Sequence, residues 1–538
     1  MKKIYSLIRA CMTNDMNLFK IAKNKKRKSK ITLPIILLVY IMFAMGLMYY
    51  GYFEMLSEVH LQHVLLTLMA FVISVMTLLE GIYKAGPILF NCKDDDLLLS
   101  LPIEKKTVIF VRIFKFYVFE LLFNSMFFIP LIVTYSYWAD KIYWSFYLTS
   151  FVMLFLLPII PIIISCIIGT IISGLSSRFK HKNIVQIVLS MLFLLFIFYF
   201  SFKVNSADSF IIEYASTISN VVNKIYYPAY LYAELAIKFD LLKLLLFVIT
   251  NIVLFVVFII ILSKFYFRIN SKSKSVISTK TRVDKIEIKS KTQTASLIKK
   301  ELSTFFKTPV FIVNSGFGLV LFLIAVIYIS TKFNSFINVI TTQEDIGITA
   351  QDIINNISRI IYFLVVVTAF MTSITNSVIS LEGRNINILK SLPVKVKTIL
   401  MSKIYSCLLI TTPVLFLGNI ILFFRFKIAI LDALLLLILS VLMPLVSHFI
   451  GILINLEYPK LDAQNSTEVV KQSTSSMLSV FIGMMILVAN IPFVLGLLKF
   501  TSSTLFLFIA VIIYAIIDVI LYLNLCNKGV KKFNSLTA

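Results

Sequence analysis

Charge is scarce in this sequence. Asp, Glu, Lys and Arg together make up 14% of the 538 residues, and hydrophobic residues make up 59%. That balance excludes an ordinary water-soluble domain. Glycine is also scarce, at 15 residues, as long lipid-facing helices allow. No G-x-x-x-x-G-K-[ST] phosphate loop occurs, so ATP binding of that kind is excluded for this chain. H-E-x-x-H, G-x-S-x-G and paired C-x-x-C motifs are missing as well. The four histidines are His60, His63, His181 and His448. The five cysteines, Cys11, Cys92, Cys166, Cys407 and Cys526, are too scattered for a metal site or a disulfide framework. The expectation is a chain that is not an enzyme and binds no cofactor of its own.

What the sequence has instead is apolar runs, many of them near the roughly 20 residues that a membrane helix needs. The first six are Ile31–Phe53, Leu61–Tyr83, Thr107–Thr134, Trp144–Ile172, Ile184–Phe202 and Leu241–Tyr266. The second six are Val310–Ile329, Ile360–Ile379, Thr398–Phe424, Ile428–Leu456, Met477–Leu497 and Leu505–Leu523. The fold class expected is an all-α polytopic membrane protein with about twelve transmembrane helices in two pseudo-symmetric halves of six.

Net charge is +25, and the positive charge sits in tails and loops between the apolar runs. It is not interleaved with aromatics on a soluble face, so nucleic acid is not the expected partner. The N-terminal segment, the linker and the tail are basic, whereas Glu54, Glu58, Glu344, Asp345 and Asp352 mark alternate loops. By the positive-inside rule both termini and the linker are expected to be cytosolic, and the expected location is a bacterial cell membrane. The basic N-terminal segment lacks a small-residue cleavage site and reads as retained, not as a cleavable signal.

The domains expected are residues 1–266, a basic linker 267–295, and residues 296–538. Each half opens on a partly amphipathic stretch. The first carries Ile4, Leu7 and Ile8; the second carries Leu297, Ile298, Leu302, Phe305 and Phe306 and ends at Pro309. Both read as interfacial helices. The loop 203–240 holds Tyr226, Tyr227, Tyr230 and Tyr232, a density that suits an interfacial or re-entrant segment.

An internal repeat links the halves. NCKDDDLLLSLPIEKKTVIFVRI from Asn91 aligns without gaps to EGRNINILKSLPVKVKTILMSKI from Glu382, at a constant offset of 291 residues. Ser100, Leu101 and Pro102 match Ser391, Leu392 and Pro393, and Arg112 matches Lys403 in charge. Each copy predicts a short helix, capped near Asp96 or Asn387, that stops before proline because the residue preceding proline disfavours α geometry. Thr107 and Thr398 are then placed to cap the following span. Arg112 and Lys403 are expected to snorkel to the headgroups.

These segments resemble the large single-chain ABC exporter permeases of Gram-positive bacteria. The resemblance is carried by Asp94, Asp95, Asp96 with Ser100, Leu101 and Pro102, and by Glu382, Gly383, Arg384 with Ser391, Leu392 and Pro393. Glu457–Tyr458–Pro459–Lys460–Leu461–Asp462 is a third match. It implies a permease that works with a separate ATP-binding subunit, in two copies, which carries the ATP. The two knuckles would then be the ATPase-coupling loops.

Ionisable residues inside spans are the remaining candidates, since each costs about 2.5–3.5 kcal/mol at the bilayer centre. They are Glu120, His448 and Asp518. Each reads either as part of a polar cargo path or proton-linked site, or as an interhelical bond, for instance Glu120 with Lys115 or Arg112. A gradient-driven transporter and a membrane-embedded lipid-modifying enzyme are the alternative functions.

Overall fold

The computed structural model describes residues 29–57, 62–90, 104–139, 141–176, 221–275, 292–333, 356–496 apart from 464 and 472, and 502–536, with isolated positions 187, 188 and 191. Among the described residues every regular element is helical. The chain divides into two compact units, residues 1–282 and 283–538.

The first unit contains α1 (Ser29–Ser57), α2 (Gln62–Phe90), α3 (Lys105–Trp138), α4 (Trp144–Leu156), α5 (Ile159–Ser176), α6 (Tyr227–Ile237) and α7 (Leu241–Ser275). Helices α2 and α3 run antiparallel. Gln62 Nε2 reaches the Trp138 carbonyl at one end and Arg112 Nη1 reaches the Leu89 carbonyl, at 3.0 Å, towards the other. The tyrosine-rich segment forms α6, whose Leu231, Tyr232 and Leu235 are buried with Phe128 and Phe146. Tyr227, at the start of α6, stays 48% exposed, so the segment is part core and part surface. Helix α7 turns Leu242, Leu245, Ile249 and Ile252 outward. In water such a face would aggregate; in a bilayer lipid covers it.

The second unit contains α8 (Gln293–Lys307), α9 (Pro309–Thr331), α10 (Ile357–Met371), α11 (Ile386–Ser391), α12 (Val396–Phe426), α13 (Ile430–Glu457), α14 (Ser466–Val470), α15 (Thr474–Gly496), α16 (Ser503–Asn524) and α17 (Val530–Ser535). Helix α8 follows the periodicity read from the sequence. The Ala295 amide donates to the Thr292 side chain at its start, Leu297, Glu301 and Phe305 form the buried stripe, and Pro309 ends it. The fifth expected span apart from three isolated positions, the first interfacial stretch, most of the linker and residues 91–103 of the first copy of the repeat lie outside the described residues.

The eighth expected span, Ile360–Ile379, is not one helix. Helix α10 stops at Met371, and 372–379 is irregular before a tight turn over Ser380–Asn385. The segment reads Thr-Ser-Ile-Thr-Asn-Ser-Val-Ile. Its Ser, Thr and Asn side chains compete for the backbone's hydrogen bonds and favour turns over helix. Irregular backbone at membrane depth survives only inside protein, and here glycines from three helices close on the break. A β-carbon on Gly451 of α13 would stand 2.4 Å from Thr375 Oγ1 and 3.0 Å from the Asn376 amide nitrogen. On Gly318 it would meet Thr372, and on Gly483 the Phe370 carbonyl.

Gly451→Ala is therefore expected to lower stability by about 1–3 kcal/mol, as overpacking does. Alanine at Gly51, where nothing lies within 4 Å, should instead raise it by up to about 1 kcal/mol through helix propensity. Thermal unfolding of the two variants in detergent checks the opposite signs.

Candidate functional site

The second copy of the repeat is described throughout, and its shape follows from three residues. Gly383 has φ 53°, a left-handed conformation that favours glycine, and reverses the chain after Glu382. Ile386 and Leu389 are buried and hold α11 to the core. Leu392, extended at φ −69° and ψ 141°, ends the helix before Pro393, as steric conflict with the proline ring requires. Asn387 lies inside α11 instead of capping it, and the residue before the helix, Asn385, makes no side-chain cap. Thr398 likewise sits inside α12, which starts at Val396.

The outward face of this knuckle carries Arg384, Asn387, Ile388, Ser391, Leu392 and Pro393, all exposed. Ile388 is 62% exposed and Leu392 40%. Two large apolar side chains, one on a six-residue helix and one on the residue that ends it, are a small uncovered patch beside a cation. Behind it, Lys390 donates to the carbonyls of Asn534 and Leu536 and lies over the Phe533 ring. The carboxyl-terminal helix α17 therefore braces α11.

Glu382 faces inward, into an ion cluster the sequence reading did not anticipate. Lys403, on the second turn of α12, is wholly buried. Its ammonium is 2.8 Å from Glu301 Oε1 of α8 and 2.5 Å from Glu382 Oε1. Lys300 closes the ring, bonding both Glu382 and, at 3.2 Å, Glu301. Two lysines alternate with two glutamates, so the cluster is neutral. Lys403 does not snorkel, and neither does Arg112, which is also buried. The outcome is a direct connection between α8, the knuckle and a membrane span.

Burial pushes the Glu382 carboxyl up, but the Lys403 and Lys300 ammonium groups outweigh it and hold it at about 2. A depressed carboxylate contributes stability above its unfolded value, near about 4.3, and loses that contribution as pH falls towards about 2. The stability advantage of the native chain over Glu382→Gln should be full at neutral pH, shrink below about pH 4.3 and disappear near about pH 2. Paired thermal melts in detergent across this range measure it.

A second device fixes the break to the third matched motif. Asn455 of α13 accepts from the amides of Ile379 and Ser380, at 2.8 and 3.1 Å, and donates to the hydroxyls of Ser380 and Ser475. The Lys460 amide donates to Ser380 Oγ at 2.9 Å. The segment Glu457–Asp462 and the turn at Glu382 are thus brought together, although they are far apart in sequence. Asn455 carried no motif signal; its only trace in the sequence is an asparagine at the end of an apolar run.

Of the intramembrane candidates, His448 and Asp518 belong to the second unit and Glu120 to the first. His448 is fully buried on α13. Its Nε2 is 3.4 Å from Thr411 Oγ1, its carbonyl accepts from Thr375, and its Nδ1 has no described partner. Asp518 continues the buried stripe of Ala510 and Tyr514 on α16, with neither carboxylate oxygen hydrogen-bonded among the described residues. Glu120, in the first unit, pairs with Lys84 of α2 at 2.7 Å and not with Lys115 or Arg112. Asp94, Asp95, Asp96, Ser100, Leu101 and Pro102 lie outside the described residues. Among the described residues no group of His, Cys, Asp or Glu has the makings of a metal site.

Nine described helices are long and apolar enough to cross a membrane, and Ile357–Met371 is a shorter apolar one. A model of one protein family, described as a membrane protein of 12 TMs, matches residues 27–528. The chain belongs to that family and is a multi-pass membrane protein. No curated protein and no solved structure matches it.

Proposed function

We propose that this member of the twelve-span family is the permease subunit of an ATP-driven exporter, engaging a separate ATP-binding subunit at its cytosolic face. The observation that carries the reading is the second-unit knuckle. It presents Arg384, Ile388 and Leu392 outward while Glu382, on the same turn, is ion-paired to a buried lysine of a membrane span. A protein pressing on the knuckle would move α8 and α12 together, because breaking a buried ion pair is costly. With no phosphate loop in this chain, ATP would be carried by the partner. The repeat read in the sequence offers Asp94, Asp95 and Asp96 in the corresponding place of the first half, so the two halves would meet the ATPase with opposite charge.

The test uses the native chain with its candidate ATP-binding subunit in reconstituted vesicles. Arg384→Glu should weaken association about tenfold, mainly through slower encounter. Pro393→Ala should leave binding intact and reduce stimulated ATP hydrolysis. Native binding and stimulation in both variants would reduce the knuckle to a connector.

A second reading is a gradient-driven transporter. The break at 372–379 favours it, since discontinuous membrane helices build the ion and substrate sites of such carriers. Uptake that persists without any ATP-binding subunit but collapses with an ionophore would select this reading.

A further inference from the structure

The side chains of α8 fall into rows, because residues four apart on an α-helix lie above one another, turned by only about 40°. Each row meets different surroundings. Leu297, Glu301 and Phe305 form the buried row. Leu297 and Phe305 share a core with Ile399, Leu400 and Ile404 of α12, and the Phe305 ring centroid is 5.0 Å from that of Phe311 in α9. Beside it runs the row of Ser296, Lys300 and Thr304. Through this row Lys300 reaches Glu382 of the knuckle, and Thr304 donates to the Lys300 carbonyl.

The remaining rows turn away from that core. One is apolar: Ile298 and Leu302 are half-buried, and Phe306 is 56% exposed. The next is basic: Lys299, Ser303 and Lys307, with both lysines exposed. Eight residues of helix set the two lysine positions about 12 Å apart on one side. Glu301 is the only acidic residue of α8, and it is buried in the first row. The outward surface of the helix is therefore apolar and cationic, without a carboxylate of its own.

An apolar row flanked by a basic row suits the boundary between acyl chains and headgroups. The apolar side chains enter the chains, and the lysine stems reach back to the headgroups. The place of α8 in the fold agrees. Thr308 alone separates it from the membrane span α9, so α8 lies at the level where that span leaves the apolar slab. Lysines there are attracted to an anionic surface over a short range only. A zwitterionic headgroup brings its own cation to the phosphate and offers them less.

We propose that α8 is a binding surface for anionic phospholipid, in which Ile298, Leu302 and Phe306 enter the leaflet while Lys299 and Lys307 take the negative charge of the headgroups. Lys300 and Glu301 of the same helix hold Glu382 and Lys403. The charge of the leaflet thereby sets the position of the knuckle. The surface stands on the geometry of α8 and does not depend on ATPase coupling.

The experiment reconstitutes the full-length chain carrying Phe306→Trp in mixed vesicles of phosphatidylcholine and phosphatidylglycerol, with bromine on the acyl chains of one lipid at a time. Emission from the native Trp138 and Trp144 is measured in the unsubstituted chain and subtracted. Bromine quenches on contact, so the remaining emission reports which lipid touches position 306. Brominated phosphatidylglycerol should quench it about twice as strongly as brominated phosphatidylcholine at equal bromine content. Adding Lys299→Gln and Lys307→Gln should bring that ratio to about one, with helicity by circular dichroism unchanged. In the unsubstituted chain, amide exchange across Gln293–Lys307 should be slower in phosphatidylglycerol vesicles than in phosphatidylcholine vesicles, which decides the matter if Phe306→Trp does not fold. Equal quenching by the two lipids overturns the proposal, as does quenching by neither, the result expected if a protein covers the apolar row. A preference that survives both lysine substitutions, or equal exchange in the two kinds of vesicle, overturns it as well.

Discussion

Replacing Lys403 with methionine is expected to destabilise the second unit by about 3–5 kcal/mol, the cost of leaving buried carboxylates without their partner. Glu301 and Glu382 are both less than a tenth exposed, and Lys300, 39% exposed, compensates only from the rim. The same change should release α8, so amide exchange in Gln293–Lys307 should accelerate before the spans are affected. Adding Glu301→Gln and Glu382→Gln to Lys403→Met removes the orphaned charges, and much of the loss should return. Thermal unfolding of the single, double and triple variants, read as a mutant cycle, separates the ion cluster from the packing of the lysine stem.

The second large effect is expected at Asn455. Asn455→Leu keeps the volume and removes all four hydrogen bonds. The buried amides of Ile379 and Ser380 then have no acceptor, at about 1–3 kcal/mol each. The expected loss is about 2–6 kcal/mol, concentrated at the break. Hydrogen exchange at Ile379 and Ser380 should rise far more than exchange in α16. Asn455→Asp retains an acceptor oxygen at this position and should keep these two amides protected.

Helix positions were legible because hydropathy reports them directly. Helix α8 and the stop before Pro393 were legible because periodicity and proline act locally. The break at 372–379 was hidden by its own composition: Ile374, Val378 and Ile379 keep a window average apolar while Thr375, Asn376 and Ser377 unwind the backbone. Lys403 and Arg112 read as snorkelling cations because a stem near a helix end reaches headgroups in isolation. In the fold, Glu301 from α8 and Glu382 from the turn reach Lys403 first. Glu120 was given partners on its own helix. The antiparallel packing of α2 and α3 places Lys84 opposite it instead, and no spacing along one helix encodes that.

The knuckle itself was legible as a motif, whereas its inward connection was not. Glu382, Arg384, Ser391, Leu392 and Pro393 were all singled out from the repeat. The division of labour among them, Glu382 inward and Arg384 with Leu392 outward, comes from the positive φ of Gly383 and the burial of Ile386 and Leu389.

The most direct measurement is a site-specific cross-link. Ile388→Cys, on the outward face of α11, carries a short photoactivatable linker in native membranes, and Ile430→Cys, 72% exposed at the start of α13, is the control. The expected result is a covalent adduct from position 388 with a subunit whose sequence contains a G-x-x-x-x-G-K-[ST] loop, and none from position 430. An adduct with that subunit from both positions, or from neither, contradicts docking at the knuckle.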